Sequence, residues 1–267
     1  MGLRNLILAA MMAGPAAAQA PVVFDAGTVS GLTARNIGSA EMSGRVAAVA
    51  AIVENGRLLV FAGSASGGVW KSVNGGTTFK PVFDSPDVQS IGAVAIDPSN
   101  PKNVWAGTGE SWVRNSVSIG DGVYRSTDGG ENWSNTGLKD SEHIAKILVD
   151  PRNSQVVFVA AQGPLWKEGG DRGLYKSSDG GKTWKAVLTV DPHTGVTDLV
   201  MDPRNPDVLY AATYQRRRHV WGMLDGGPGC GISHVPSDKR CARGRRRVSG
   251  LWPALRDCLR EGCLASL

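Results

Sequence analysis

Gly122-Val123-Tyr124-Arg125-Ser126-Thr127-Asp128-Gly129-Gly130-Glu131-Asn132-Trp133 is the stretch that decides the fold. A short strand-like run leads into Asp128-Gly129-Gly130, where glycine permits positive φ and an Asx side chain can bond the turn backbone. Ser126 and Asp128 are placed to hydrogen-bond the hairpin, and Trp133 to pack back over it. The motif Ser-x-Asp-Gly-Gly-x-x-Trp therefore predicts two antiparallel strands around a tight turn. It occurs three times. Gly68-Val69-Trp70-Lys71-Ser72-Val73-Asn74-Gly75-Gly76-Thr77-Thr78-Phe79 precedes it, and Gly173-Leu174-Tyr175-Lys176-Ser177-Ser178-Asp179-Gly180-Gly181-Lys182-Thr183-Trp184 follows. Ser72, Ser126 and Ser177 are 54 and 51 residues apart.

A second motif keeps the same step. Ile91-Gly92-Ala93-Val94-Ala95-Ile96-Asp97-Pro98-Ser99-Asn100 recurs from Ile144 to Asn153 and again from Val196 to Asn205. Two unrelated motifs sharing one period identify a structural repeat. In the second unit the strand-like runs are Ile91–Ile96, Val104–Gly107, Gly122–Ser126 and Asn132–Gly137. Four antiparallel strands in a unit of roughly 50 residues describe a propeller blade. The expected fold is all-β, a partial β-propeller of about three four-stranded antiparallel blades plus the start of a fourth.

The repeated motif reads as structural rather than catalytic. Its residues are Ser72, Asn74, Gly75 and Phe79, then Ser126, Asp128, Gly129 and Trp133, then Ser177, Asp179, Gly180 and Trp184. In the first copy Asn74 still makes an Asx turn and Phe79 still packs. Gly181-Lys182-Thr183 resembles the end of a phosphate-binding loop, but Lys176 stands where that loop needs glycine, and the context is a hairpin.

The 35 glycines among 267 residues agree with many short strands and tight turns. Residues 1–20 read as a signal peptide. Arg4 precedes the apolar run Leu6–Ala13, and Ala18-Gln19-Ala20 offers a cleavage site, with cleavage after Ala18 as an alternative. The run is too short to span a bilayer, so the expected location is periplasmic or secreted, with no membrane span. The net charge of +5 belongs to one segment. Residues 230–267 hold eight Lys/Arg and three Asp/Glu, which leaves 21 of each elsewhere. A nucleic-acid partner is therefore not expected for the repeat region.

The repeats resemble the bacterial neuraminidase (BNR, Asp-box) repeat propellers, in particular their sortilin-like and xyloglucanase-like branches. The likeness runs from about Ala34 to Gly229 and includes Arg35-Asn36-Ile37-Gly38 and Ser43-Gly44-Arg45-Val46. It implies an exported propeller with more blades than this chain holds. Its implied role is to grip a glycan or a peptide/protein ligand, or to hydrolyse glycosides. No cofactor is implied. The leading expectation is a binding scaffold similar to sortilin-type ectodomains. A glycoside hydrolase is the alternative, and an inactive fragment the third reading.

After Gly229 the pattern breaks. A fourth box is due near Ser233, but His234-Val235-Pro236-Ser237-Asp238 follows with no Gly-Gly. All four cysteines, Cys230, Cys241, Cys258 and Cys263, lie beyond this point at intervals of 11, 17 and 5 that fit no zinc pattern. The expected organisation is an incomplete propeller over 21–229 and an irregular basic tail over 230–267, as a shifted reading frame or truncated gene would leave. Missing blades or another chain are then needed to close the ring, because an open blade exposes an edge.

Chemistry is expected on the loops that join the second and third strands of each blade. The loop from Glu110 to Gly122 is the longest in the regular repeats. Glu110 and Asp121 are the candidate catalytic carboxylates, since glycoside hydrolysis needs two, about 5–5.5 Å apart for retention or about 6.5–9.5 Å for inversion. Arg45, Trp112, Arg114 and Trp221 are the candidate ligand-binding residues. The corresponding later loops carry Glu168, Asp171 and Arg172, then Arg216-Arg217-Arg218-His219. A sialidase site would need an arginine triad, and the Arg-Ile-Pro lead-in is absent. His143, His193, His219 and His234 have no metal-ligand spacing and read as surface or turn residues.

Overall fold

The computed structural model describes residues 45–112, 114 and 117–236. The expected signal peptide and the residues from 237 onward lie outside them. Each sequence repeat becomes one antiparallel sheet. The first contains β1 (Val46–Glu54), β2 (Arg57–Ser64), β3 (Val69–Ser72) and β4 (Lys80–Pro81). The second contains β5 (Ile91–Ile96), β6 (Val104–Thr108), β7 (Val123–Ser126) and β8 (Ser134–Gly137). The third contains β9 (Ile144–Asp150), β10 (Asn153–Ala161), β11 (Gly173–Ser177) and β12 (Lys185–Leu188). In all three, strands adjacent in sequence are adjacent in space. β1, β5, β9 and the first strand of the fourth sheet contact one another in succession, which is the inner wall of a radial array.

The fourth sheet departs from the plan. β13 (Thr194–Asp202) pairs with a long β14 (Asn205–His219). The far end of β14 folds into a hairpin with β15 (Gly222–Asp225), while its near end pairs with β16 (Gly231–Pro236). β16 therefore takes the third-strand position. This corrects the expectation that irregular structure begins at 230: alternating backbone pairing with Val208–Thr213 continues to Pro236. The registers also show why no fourth box forms. Ser72, Ser126 and Ser177 face Val60, Val104 and Val157, and at the equivalent place Leu209 faces Val235. An isopropyl group there cannot accept the turn amides.

The box turns are built from short polar bonds. Ser126 Oγ donates to Asp128 Oδ1 (2.7 Å) and accepts from Gly130 N (2.8 Å), while Asp128 Oδ1 also accepts from Asn132 N (2.9 Å). Ser177 and Asp179 repeat this set. Asn74 reproduces it through its amide oxygen. Accepting those bonds holds the Asp128 carboxyl down at about 2, the Asn132 amide contributing most. Thr183, through its hydroxyl and its amide, does the same for Asp179.

One expectation about the box changes. Its tryptophan does not only cover its own hairpin; it reaches the preceding sheet. Trp133 Nε1 donates to Val82 O (2.6 Å) as well as to Gly130 O, and Trp184 Nε1 donates to Thr136 O (2.8 Å). The rings stand edge-on to Phe83 (5.0 Å) and Trp105 (6.3 Å) of those sheets. Cations reach the other way: Lys71 Nζ donates to Gly129 O (2.7 Å) and Arg125 Nη1 to Gly180 O (2.9 Å). Three apolar clusters fill the three gaps between successive sheets, centred on Phe61, Trp105 and Phe158. Each such fully buried side chain stabilises the stack by about 1.5–3 kcal/mol.

Candidate functional site

Every sheet closes its inner end with the same backbone bond, from the exit of its second strand to the entry of its first. Ala65 N donates to Arg45 O (3.0 Å), Gly109 N to Ser90 O (2.8 Å), Gln162 N to His143 O (2.9 Å) and Arg216 N to His193 O (2.9 Å). The loops between second and third strands leave from these points. Residues far apart in sequence consequently meet at one end of the array.

Charged side chains converge there, with Glu110, Arg172 and Arg216 buried and Arg45 partly so. Arg45 Nη2 forms an ion pair with Glu110 Oε2, and Glu110 itself is buried with its amide on Ser90 Oγ (3.0 Å). Among the described residues Glu110 Oε1 makes no hydrogen bond. Arg216 Nη1 donates to Trp112 O (3.2 Å), and burial lowers the pKa of its guanidinium. Gln162 Nε2 donates to Ser111 O (2.8 Å), which ties the third sheet to the Glu110 loop. Arg172 holds its own loop by donating to Gln162 O (2.7 Å), Lys167 O (2.9 Å), Gly169 O (2.9 Å) and Pro164 O. Burial pushes Arg172 down to about 10.

His143 corrects the expectation of a surface or turn histidine. It is fully buried at the entry to β9, because the closing bond to Gln162 draws its backbone into the inner wall. Neither ring nitrogen meets hydrogen-bond geometry, although the Glu110 carbonyl lies beside the ring. Burial, aided by the nearby Arg216 and Arg172, pushes its pKa down to about 4.

The two candidate carboxylates have different partners. Asp121 Oδ2 accepts from the Tyr124 hydroxyl (2.7 Å), and Oδ1 accepts from Thr108 Oγ1 (3.3 Å). Burial raises Tyr124 to about 12, so that hydroxyl stays a donor across the physiological range. Glu110 is held by Arg45 instead. Arg114 is exposed, with its amide on Trp112 O (2.9 Å). Trp112 and Trp221 are exposed, and Trp221 stacks on His219 with centroids 5.0 Å apart and planes 16° from parallel. Trp166, exposed on the β10–β11 loop, escaped the sequence reading. Its signal was available: it follows a second strand, as Trp112 and Trp221 do.

Residues 121–227 match the family model described as sortilin, neurotensin receptor 3 (Sortilin-Vps10). Over 168 residues the chain is 27% identical to a xyloglucanase of Paenibacillus sp., a match covering 57% of this chain and 15% of that protein. The chain is similar to the sortilin and xyloglucanase propellers. A xyloglucanase of Hypocrea jecorina is 32% identical over 124 residues, covering 42% of this chain and 13% of the relative. The structure of the GH74 enzyme of Niastella koreensis superposes with a TM-score of 0.52 at 23% identity, over 72% of this chain and 28% of that one. The sortilin- and xyloglucanase-like chain thus spans 13–15% of the length of these two curated relatives. Among its described residues no helix is long and apolar enough to cross a membrane.

Proposed function

We propose that the chain is an exported binding scaffold that holds an extended glycan across the loops between second and third strands. One observation carries this reading: Trp112, Trp166 and Trp221 are exposed on three consecutive loops of that kind, at the same end of successive sheets. Indole faces suit the apolar faces of sugar rings, and an array along neighbouring blades suits a polymer better than a monosaccharide. Arg45 and Glu110 act here as a rigid floor, and Arg114 as a polar contact beside Trp112. Export through residues 1–20 and the Asp-box assignment belong to the same proposal.

Hydrolysis is the second reading, favoured by the xyloglucanases among the relatives and by the buried Glu110 carboxylate. The pair Glu110 and Asp121 would then serve as acid and base. Their separate anchoring, one by Arg45 and one by Tyr124, favours binding.

Calorimetry of the full chain with xyloglucan oligosaccharides, run beside a reducing-end assay, separates the two. Binding without new reducing ends is expected. Alanine at Trp112, Trp166 or Trp221 should each weaken binding by roughly 3–10-fold, the worth of a ring contact of about 0.5–1.5 kcal/mol. Reducing ends that disappear in Glu110→Gln would establish hydrolysis in place of the scaffold. No heat with any oligosaccharide would sink the glycan reading and leave a peptide ligand to be tried.

A further inference from the structure

The second strands of the first three sheets stop one residue short of their closing bonds, at Ser64, Thr108 and Ala161. β14 reaches the equivalent point at Arg216, whose amide closes on His193 O, and then runs on to His219. It turns back at Val220-Trp221 into β15. The hairpin added in this way carries Arg216-Arg217-Arg218. Those three residues bond to the two other loops that bear an exposed tryptophan.

Arg216 serves the first of those loops. It is 5% exposed, and its Nη1 donates to Trp112 O (3.2 Å). The residues just before Trp112 are held from the third sheet. Gln162 Nε2 donates to Ser111 O (2.8 Å), and the His143 ring lies beside the Glu110 carbonyl. Three successive carbonyls of a second-sheet loop thus meet side chains of the third and fourth sheets.

Arg217 and Arg218 serve the second loop. Arg217 Nη1 donates to Glu168 Oε2 (3.1 Å), and the Arg218 amide donates to Leu165 O (2.7 Å), next to Trp166. The strand explains the division. Successive side chains leave a strand on opposite faces, so Arg216 and Arg217 can reach different loops from adjacent positions. At the tip of the hairpin Trp221 is set by its own stack on His219.

We infer that Arg216-Arg217-Arg218 is a positioning device that sets the three tryptophan loops into one preorganised platform, Arg216 placing Trp112 and Arg217 placing Trp166. This deepens the glycan reading and rests on it for its ligand. Loops fixed before the ligand arrives lose little freedom on binding, which adds affinity even where the arginines make no ligand contact. The hairpin that breaks the blade plan thereby gains a purpose.

Amide exchange by mass spectrometry on the ligand-free full chain tests the device without any glycan. Arg216→Met keeps the apolar stem and removes the donor. Exchange from Gly109 to Trp112 should accelerate by roughly 3–10-fold while β6 and β10 stay unchanged. Arg217→Met should act likewise from Pro164 to Glu168 and leave Gly109 to Trp112 alone. The Arg217 side chain is partly exposed, so this variant should fold, and it decides the matter if Arg216→Met loosens β6 and β10 as well. Loops unchanged in both variants overturn the inference, as does acceleration spread over all four sheets in Arg217→Met.

The consequence for binding is read by calorimetry with xyloglucan oligosaccharides. Arg216→Met should weaken binding by roughly 3–10-fold, and Arg216→Lys, which retains a donor, should recover part of that loss. In a double-mutant cycle the Arg216→Met effect should vanish in the Trp112→Ala background, since a misplaced indole and an absent one are equivalent. An effect of the same size with and without the indole would make Arg216 merely structural and overturn the inference. Oligosaccharides that bind Arg216→Met as tightly as the parent chain also overturn it and leave the glycan reading standing. No heat from the parent chain sinks the glycan reading alone, and the exchange rates then decide the positioning.

Discussion

His143 shows how a single residue can be informative without being catalytic. Its pKa falls from an ordinary 6.5 to about 4, chiefly through burial. Between those values the unfolded chain binds a proton that the folded chain refuses. The contribution of His143 is therefore complete above about pH 6.5 and is lost as pH falls toward 4, by at most roughly 3 kcal/mol. Denaturant titrations at a series of pH values should show that slope, and His143→Leu should flatten it while changing stability little at pH 7. A slope unchanged in the variant would assign the effect elsewhere. Asp128 and Asp179 act in a lower window: both are held at about 2, so the stability they add is lost only as pH falls below about 4. Nothing in the sequence marked His143, because burial at a strand entry depends on which loop folds over it. That Glu110, Trp112 and Trp221 lie on loops after second strands was legible because loop position follows from the repeat. Trp166 follows the same logic, on a loop it shares with Glu168, Asp171 and Arg172. That Arg45 pairs with Glu110, 65 residues away, needed coordinates.

At the scale of the element, the second box glycine carries two separate demands. Gly76 and Gly181 share φ of +89°, which disfavours any side chain. Only Gly181 also sits against a neighbouring sheet: a Cβ there would lie 2.8 Å from the Trp105 ring, whereas at Gly76 the nearest atom is Phe79 Cζ at 3.8 Å. Gly76→Ala should thus report backbone strain alone, about 1–3 kcal/mol. Gly181→Ala should lose a further 1–3 kcal/mol, roughly, from overpacking between sheets. Equal losses in chemical unfolding would mean that the Trp105 ring moves aside freely. A similar division applies to the tryptophans. Trp133→Phe keeps the packing against Phe83 and forfeits the indole donor to Val82 O, a change of about 1–3 kcal/mol if that carbonyl stays buried and unpaired. The hairpins themselves were readable from Ser, Asp and Gly-Gly spacing, since those are local bonds. The reach of Trp133 into the preceding sheet was not, because a period tells how a unit repeats and not how neighbours touch.

For the whole molecule, the stack behaves as a row of units whose stability comes from each unit and its contacts with its neighbours. Among the described residues the second and third sheets have a neighbouring sheet on both faces, and the first and fourth on one. The fourth also lacks a box and carries an added hairpin from Arg216 to Asp225, so its outer part has the fewest constraints. Amide exchange should follow that order: slowest in β6 and β10, faster in β2, and fastest in β16. Exchange measured by mass spectrometry reads that order directly. Protection highest in β16 would contradict the nearest-neighbour picture. Uniform rates across all four sheets would mean that the array opens as one cooperative body, in which the repeats marked by Ser72, Ser126 and Ser177 are a feature of sequence and not of energetics.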